Sequence, residues 1–194
     1  MLKNAIVLTG SIATGKSTVG AFLKMYGYSI ISADKITHEI LAKEANSIAD
    51  IFGREYILDS KVNRSKLGSL IFSDKDAKAK LESFMHPKIK DEIEIQAQKI
   101  EKFNCPYFIE IPLFFETGNY EIENSLVVYT PKYTQLKRLI EREGFTQEDA
   151  KSRLNSQIDI EDKKAKATYL IDNSKDLKHL QNECEKFVNM LKGR

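Results

Sequence analysis

The sequence predicts an α/β fold of three layers: a five-stranded parallel sheet between helices, with an inserted helical region and a helical lid. Three observations predict it. Five short apolar runs alternate with longer stretches of helical periodicity, as in a parallel sheet covered on both faces. Residues 10–18, GSIATGKST, fit G-x-x-x-x-G-K-[ST] between the first run and the first helical pattern. Residues 33–103 separate the second run from the third, far more chain than one crossover helix requires.

The elements follow in order. Ala5–Leu8 reads as a buried strand. Gly10 and Gly15 allow a sharp turn and close approach of the backbone to a ligand, and successive N–H groups there form a concavity that suits an anion. Lys16 supplies a cation for the outer phosphates and Ser17 a hydroxyl for Mg²⁺. Val19, Phe22 and Leu23 lie at helical spacing between Lys16 and Tyr26, so the loop opens a helix whose N-terminus favours negative charge. Ser29–Ile31, after the turn at Gly27, is the second strand. In the insert, Asn63 or Ser65 caps a helix reaching Phe72, and Ser73 or Asp74 caps another ending near Met85. His86-Pro87 marks a bend, and Pro87 opens a long helix with the stripe Ile89, Ile93, Ala97 and Ile100.

Tyr107–Ile111 is the third strand and Leu126–Tyr129 the fourth. A helix from Tyr133 stops at Gly144, and Thr146 with Asp149 forms a capping box for the next. This hairpin is charged and poor in apolar residues, as suits a mobile lid. Tyr169–Ile171 is the fifth strand, and a last helix from Lys175 buries Leu177, Leu180, Cys184, Phe187, Val188 and Leu191. The chain 1–194 therefore divides into a core (1–32, 104–131 and 167–194), a helical substrate region (33–103) and a lid (132–166).

Composition narrows the function. With 194 residues, 42% of them hydrophobic, the chain can bury a sizeable core. Thirty basic and 28 acidic residues nearly cancel, which argues against a general nucleic-acid binder. No apolar run approaches the roughly 18 residues of a membrane span, and no signal peptide precedes the loop, so a cytoplasmic protein is expected. Cys105 and Cys184 match no metal spacing and read as buried free thiols in a reducing compartment.

A phosphate loop identifies a nucleotide, not a reaction. A GTPase-like switch would carry N-K-x-D, which is missing; Asp50–Gly53 fits D-x-x-G but falls among the helices after the second strand. A small-molecule kinase needs a carboxylate to orient an acceptor hydroxyl and take its proton. Asp34, just past the second strand, is placed for that or for capping the helix that follows, and His38 is one turn on. Glu110 and Glu116 are candidates to approach Mg²⁺, with Glu110 alternatively paired to a lysine or a backbone group. Arg138 and Arg142 share one helix face, and Arg153 follows; they either close over phosphates or form a solvated charged face.

Taken together, the motifs resemble the dephospho-CoA kinase family almost from end to end. Leu8-Thr9-Gly10 leading to Gly15-Lys16-Ser17-Thr18-Val19 is similar to the family's opening. Ala33-Asp34-Lys35-Ile36-Thr37-His38 resembles A-D-x-I-x-H, and Arg64 with Leu67 resembles R-x-x-L. His86-Pro87-Lys88-Ile89 matches H-P-x-[IV], and Pro112–Glu116 resembles P-L-L-F-E. Gln135, Arg138, Arg142, Arg153 and Gln157 resemble the lid, and Ile171-Asp172-Asn173 the closing I-x-N. Ser11 and Ala13 stand where the family's loop has glycines, Lys90 where it often has arginine, and Thr168 where it usually has aspartate.

The resemblance implies ATP-dependent phosphorylation of the ribose 3′-hydroxyl of dephospho-CoA, giving CoA and ADP, with Mg²⁺. It implies nucleotide contacts from Gly10, Ser11, Ile12, Ala13, Thr14, Gly15, Lys16, Ser17 and Thr18, with Arg142 and Asn173. It implies substrate contacts from Thr9, Asp34, His38, Arg64, His86, Leu113 and Phe114, and catalysis by Lys16, Asp34, Arg138 and Arg142. No nucleic-acid or membrane partner is expected, and the oligomer is a monomer or a small homo-oligomer. The alternatives are another P-loop small-molecule kinase, of nucleoside, nucleotide or shikimate type, and a nucleotide-binding regulator.

Overall fold

A computed structural model describes residues 2–193; the limits 1 and 194 of the expected chain lie outside the described residues. The chain forms two units, one of residues 1–31 and 97–194, the other of 32–96. The second unit covers most of the helical region expected at 33–103, and the boundary falls inside a helix rather than at its end.

The first unit holds the sheet. Its strands are β1 (Ala5–Gly10), β2 (Ile30–Ser32), β5 (Tyr107–Glu110), β6 (Asn124–Tyr129) and β7 (Tyr169–Asp172), in the order β2-β5-β1-β6-β7. β1 lies centrally, parallel to β5 (Leu8 opposite Glu110) and to β6 (Gly10 opposite Val128). Its six residues are all buried, which is why it reads as a continuous apolar run. Ile6, Leu8, Phe108, Leu126, Val128 and Ile171 pack one face against α1 (Lys16–Met25) and α10 (Leu177–Lys192) through Val19, Leu23, Leu180, Phe187 and Val188. Val7, Ile109 and Val127, at the alternate positions, are buried as well, so both faces are covered.

The other helices of this unit are α6 (Phe114–Thr117), α7 (Lys132–Glu143), α8 (Gln147–Asn155) and α9 (Ile160–Lys166). Gly144 takes the left-handed conformation that ends α7, and the Thr146 hydroxyl accepts the Asp149 N–H to open α8, both as the sequence predicts. The few apolar residues of this hairpin are concentrated: Leu139, Ala150 and Leu154 are buried against Leu136, Phe145 and the loop residues Ile12 and Ala13.

The second unit holds α2 (Ala33–Lys43), α3 (Ala45–Phe52), a 3-10 turn (Arg54–Tyr56), the hairpin β3 (Ile57–Leu58) and β4 (Lys61–Val62), α4 (Arg64–Ser73) and most of α5 (Lys75–Glu101). Ile36, Ile40, Ile48, Leu67, Met85 and Ile89 are among its buried apolar residues. Asn63 caps α4, and Asp74 accepts the N–H groups of Asp76 and Ala77 to cap α5. The break between two helices expected at His86-Pro87 is absent: α5 runs through Pro87 as one helix. One missing N–H and a steric cost of ~3 kcal/mol are outweighed by burial of Met85, Ile89, Ile93 and Ala97 along a single stripe. The hairpin turns on Asp59 and Ser60, both at positive φ (49° and 60°), a conformation that two-residue turns demand.

Two expectations about burial need correction. Cys184 is buried, but Cys105 is exposed. Leu177 opens α10 at 64% exposure instead of joining the core, because it sits in the first turn beside an open cavity.

Candidate active site

The site begins where β1 ends. Gly10 has φ 152°, and a Cβ on it would stand 2.7 Å from the Val128 carbonyl oxygen and 2.8 Å from the Thr14 hydroxyl. Gly15 caps α1 at φ 94°, with the Asn173 side-chain amide pressed where a Cβ would be. Glycine is required at both positions. No side chain caps α1 and its first turn carries no acid, which leaves the positive helix end to an anion. Ala13, between the glycines, is held left-handed at φ 60°, a conformation that costs an L-residue about 1–2 kcal/mol.

A cavity of about 410 Å³ opens beside this loop. Ala13, Gly15, Lys16, Ser17, Thr18, Arg138, Arg142 and Asn173 line it, joined by Glu143, Lys175, Asp176, Leu177 and Leu180. The last five escaped the sequence reading as site residues; for all but Glu143, which ends α7, the signal was a place just past the carboxyl end of the fifth strand. Gly10, Ser11, Ile12 and Thr14 are absent from the wall. They build the loop: Thr14 is fully buried with its hydroxyl on the Ser11 carbonyl at 2.9 Å, and Ile12 gives its N–H to Gln157 Oε1 at 2.9 Å. The Lys16 ammonium rests on the Ser11 carbonyl at 3.0 Å.

The two arginines of α7 do different work. The Arg138 guanidinium donates to the Ala13 carbonyl (3.2 Å), the Thr130 hydroxyl (3.2 Å) and the Asn173 carbonyl (3.0 Å). Burial, and then the nearby Arg142 charge, draw it below its ordinary pKa. It clamps the loop while forming part of the cavity wall. Arg142 is exposed on the cavity wall and, among the described residues, has no hydrogen-bond or ion-pair partner. Arg153 lies 4.3 Å over the Phe145 ring, on the hairpin's own apolar cluster.

Asn173 is the second clamp. Its amide donates to the Thr14 carbonyl at 2.7 Å, and Thr130 reaches the same oxygen at 3.2 Å. The turn carrying Asn173 is pinned by Asp172, whose carboxylate takes the Ser174 N–H and hydroxyl, both at 2.9 Å, and faces His179 at 3.2 Å. Burial works to raise the Asp172 pKa, but the hydrogen bonds from Ser174 and His179 prevail and hold it below the usual value.

Two further corrections concern the neighbouring strands. Thr9 is fully buried and its hydroxyl donates to the Pro112 carbonyl at 3.3 Å, so it joins β1 to the segment after β5 instead of facing a substrate. Glu116 is not free for a metal: one oxygen accepts from Lys163 at 2.6 Å and from the Ile158 N–H at 3.1 Å. Glu110, last in β5 and half-buried, keeps its place beside β1. Thr168 exchanges hydrogen bonds with Ser125 between β6 and β7, where the usual aspartate is missing.

In the helical unit, Asp34 does not cap its helix. Ser32 does, accepting the Lys35 N–H at 3.4 Å. Asp34 is exposed in the first turn of α2 and, among the described residues, has no hydrogen-bond or ion-pair partner; His38 is exposed one turn on. Arg64 is exposed at the start of α4, and His86 is half-buried within α5. A cavity of about 470 Å³ in this unit is lined by Asn46, Asp50, Arg54 and Asp59 among others, and by none of the expected substrate residues. Leu113 and Phe114, in the sheet unit, open α6 with Leu113 41% exposed.

Residues 4–179 match the family model of dephospho-CoA kinase. The dephospho-CoA kinase of Sulfurimonas denitrificans is 55% identical over 192 residues, covering 99% of this chain and 96% of its own length. A solved dephospho-CoA kinase from Campylobacter jejuni is 42% identical, with 98% of each chain covered and a TM-score of 0.77. A shikimate kinase from Bacteroides thetaiotaomicron, 13% identical with a TM-score of 0.54 over 97% of this chain and 98% of its own, shares the fold.

Proposed function

The chain belongs to the dephospho-CoA kinase family, and from that premise we propose that it transfers the γ-phosphoryl group of ATP to the ribose 3′-hydroxyl of dephospho-CoA, giving CoA and ADP. The observation that carries this reading is the cavity beside the phosphate loop, walled by Lys16, Ser17 and an exposed Arg142. The loop amides and Lys16 hold the β- and γ-phosphates. Lys16 moves from the Ser11 carbonyl to phosphate oxygen. Asp34 orients the acceptor hydroxyl and takes its proton as the new O–P bond forms. Arg142 neutralises charge on the phosphoryl oxygens in transit, and Arg138 keeps the loop shaped for it. His38, Arg64, His86, Leu113 and Phe114 are proposed to contact dephospho-CoA.

The residues present fit Mg²⁺. Ser17 is exposed in the cavity wall, and Glu110 ends the adjoining strand. A Mg²⁺ ion held by one hydroxyl and the substrate phosphates keeps several of its waters. When bound, it neutralises charge on the β- and γ-phosphates. Two free cysteines suit a reducing cytoplasm, where the reading places the protein.

The test is ADP release with Mg·ATP, comparing dephospho-CoA, AMP, adenosine and shikimate as acceptors. Turnover selective for dephospho-CoA, with CoA as product and lost in Lys16→Ala, is expected. Preference for another acceptor would overturn the substrate, and ATP binding without any turnover would favour a regulator.

A further inference from the structure

Lys163 has no part in the reading above, yet it is fully buried. It stands in α9, in a sequence, Glu161-Asp162-Lys163-Lys164-Ala165-Lys166, that looks like a solvated charged face. Its ammonium lies 2.6 Å from Glu116 Oε1 and 3.3 Å from the carbonyl oxygen of Gly10, the first residue of the phosphate loop. The same Glu116 oxygen accepts the Ile158 N–H, and the neighbouring Gln157 holds the Ile12 N–H. The other Glu116 oxygen is buried as well. Burying an ion pair costs more desolvation than an apolar filling of the same volume would.

These contacts tie three segments to one charge pair. One is the start of the loop at Gly10. The second is α6 after β5, which carries Phe114 and follows Leu113. The third is the return limb of the lid, residues 156–163. Two further loop carbonyls are held by other elements, that of Ala13 by Arg138 and that of Thr14 by Asn173 and Thr130. Lys163 donates to the Gly10 carbonyl from a position 153 residues further along the chain.

We infer that Lys163, oriented by Glu116, is a positioning residue for phosphoryl transfer: it sets the Gly10 carbonyl and couples the lid's return limb to the aim of the phosphate loop. This rests on the kinase reading above. A loop released at Gly10 still offers its amides to ATP, so ground-state binding changes little. The transition state needs the loop in one geometry, and a displacement near 1 Å can cost about a hundredfold in rate.

The experiment measures kcat, KM for ATP, ATP affinity and thermal unfolding for wild type, Glu116→Gln, Lys163→Met and the double variant Lys163→Met/Glu116→Gln. Lys163→Met alone leaves a buried carboxylate unpaired and is the variant most prone to misfold. The double variant removes both charges and keeps the volume, so it is the decisive one. The expected result is a folded double variant with kcat lower by roughly tenfold to a hundredfold, and with KM and affinity for ATP changed less than about threefold. A folded Lys163→Met is expected to lose no more than the double variant, because the pair acts as one unit. Wild-type turnover with an unaltered kcat in the folded double variant would overturn the inference, as would loss of folding in all three variants, which would make the pair purely structural. Absence of wild-type turnover would instead overturn the kinase reading.

Discussion

Arg138 and Arg142 are four residues apart on α7 and carry the same charge, and they should fail in opposite ways. Arg138→Ala removes three hydrogen bonds. The Asn173 carbonyl and the Thr130 hydroxyl keep each other, so the group that loses its donor is the Ala13 carbonyl. One orphaned carbonyl costs about 1–3 kcal/mol, and the lost packing of a half-buried side chain brings the total to roughly 2–4 kcal/mol. In a chain of this length that is a drop in Tm of roughly 5–15 °C. Arg142→Ala removes an exposed side chain without a hydrogen-bond or ion-pair partner among the described residues, so stability should change by less than about 0.5 kcal/mol. Its cost falls on the transition state, where one lost charge is worth about a hundredfold in kcat or more. Differential scanning calorimetry and ADP release, run on both variants, separate the two. A large Tm loss in Arg142→Ala, or a Tm within about 1 °C of wild type in Arg138→Ala, would refute the division of labour.

Asp34→Asn should lower kcat roughly a hundredfold or more with Tm unchanged, since the carboxylate caps nothing; near-normal turnover would remove it from the mechanism. Gly15→Ala places a methyl against the Asn173 amide at a φ of 94°, so ATP affinity by titration calorimetry should fall at least about tenfold while the fold survives. With a thiol reagent at pH 8, the native protein should show only the exposed Cys105 reacting, and a second thiol should appear on unfolding. Burial, and then the neighbouring Glu183 and Glu185 charges, push the Cys184 thiol up from 9.0 to about 12. The folded state therefore holds a proton that the unfolded state releases, and stability should decline as pH rises above about 9. A Cys184→Ser variant should show a shallower decline, measured by urea unfolding between pH 8 and 10.

What the sequence made legible was whatever local chemistry fixes. The buried run of β1, the glycines of the loop, the stop at Gly144 and the cap at Thr146 each follow from one or two neighbouring residues. Contacts between distant segments stayed hidden. Lys163 stands among charges and looks solvated until α9 turns it toward Glu116, 47 positions earlier (163 − 116). Arg138 and Arg142 cannot be told apart by spacing; only the position of the Ala13 carbonyl separates them. The hairpin at Asp59-Ser60 lacks the glycine that usually marks such a turn. Pro87 looked like an end because propensity argues locally, whereas the stripe Met85, Ile89, Ile93 is buried as a whole.

The hidden residues share one cause. A loop that turns its N–H groups toward an anion must turn its carbonyls toward the protein, and buried carbonyls need donors. The Ser11 carbonyl is served from inside the loop, by Thr14 and Lys16. Those of Gly10, Ala13 and Thr14 are served from outside it, by Lys163, Arg138, Asn173 and Thr130. These four come from β7's end, from α7 and α9, and from the turn after β6, so the phosphate loop is shaped by the second half of the chain. A short motif near the N-terminus can therefore announce nucleotide binding while the residues that hold it in shape lie more than a hundred positions away.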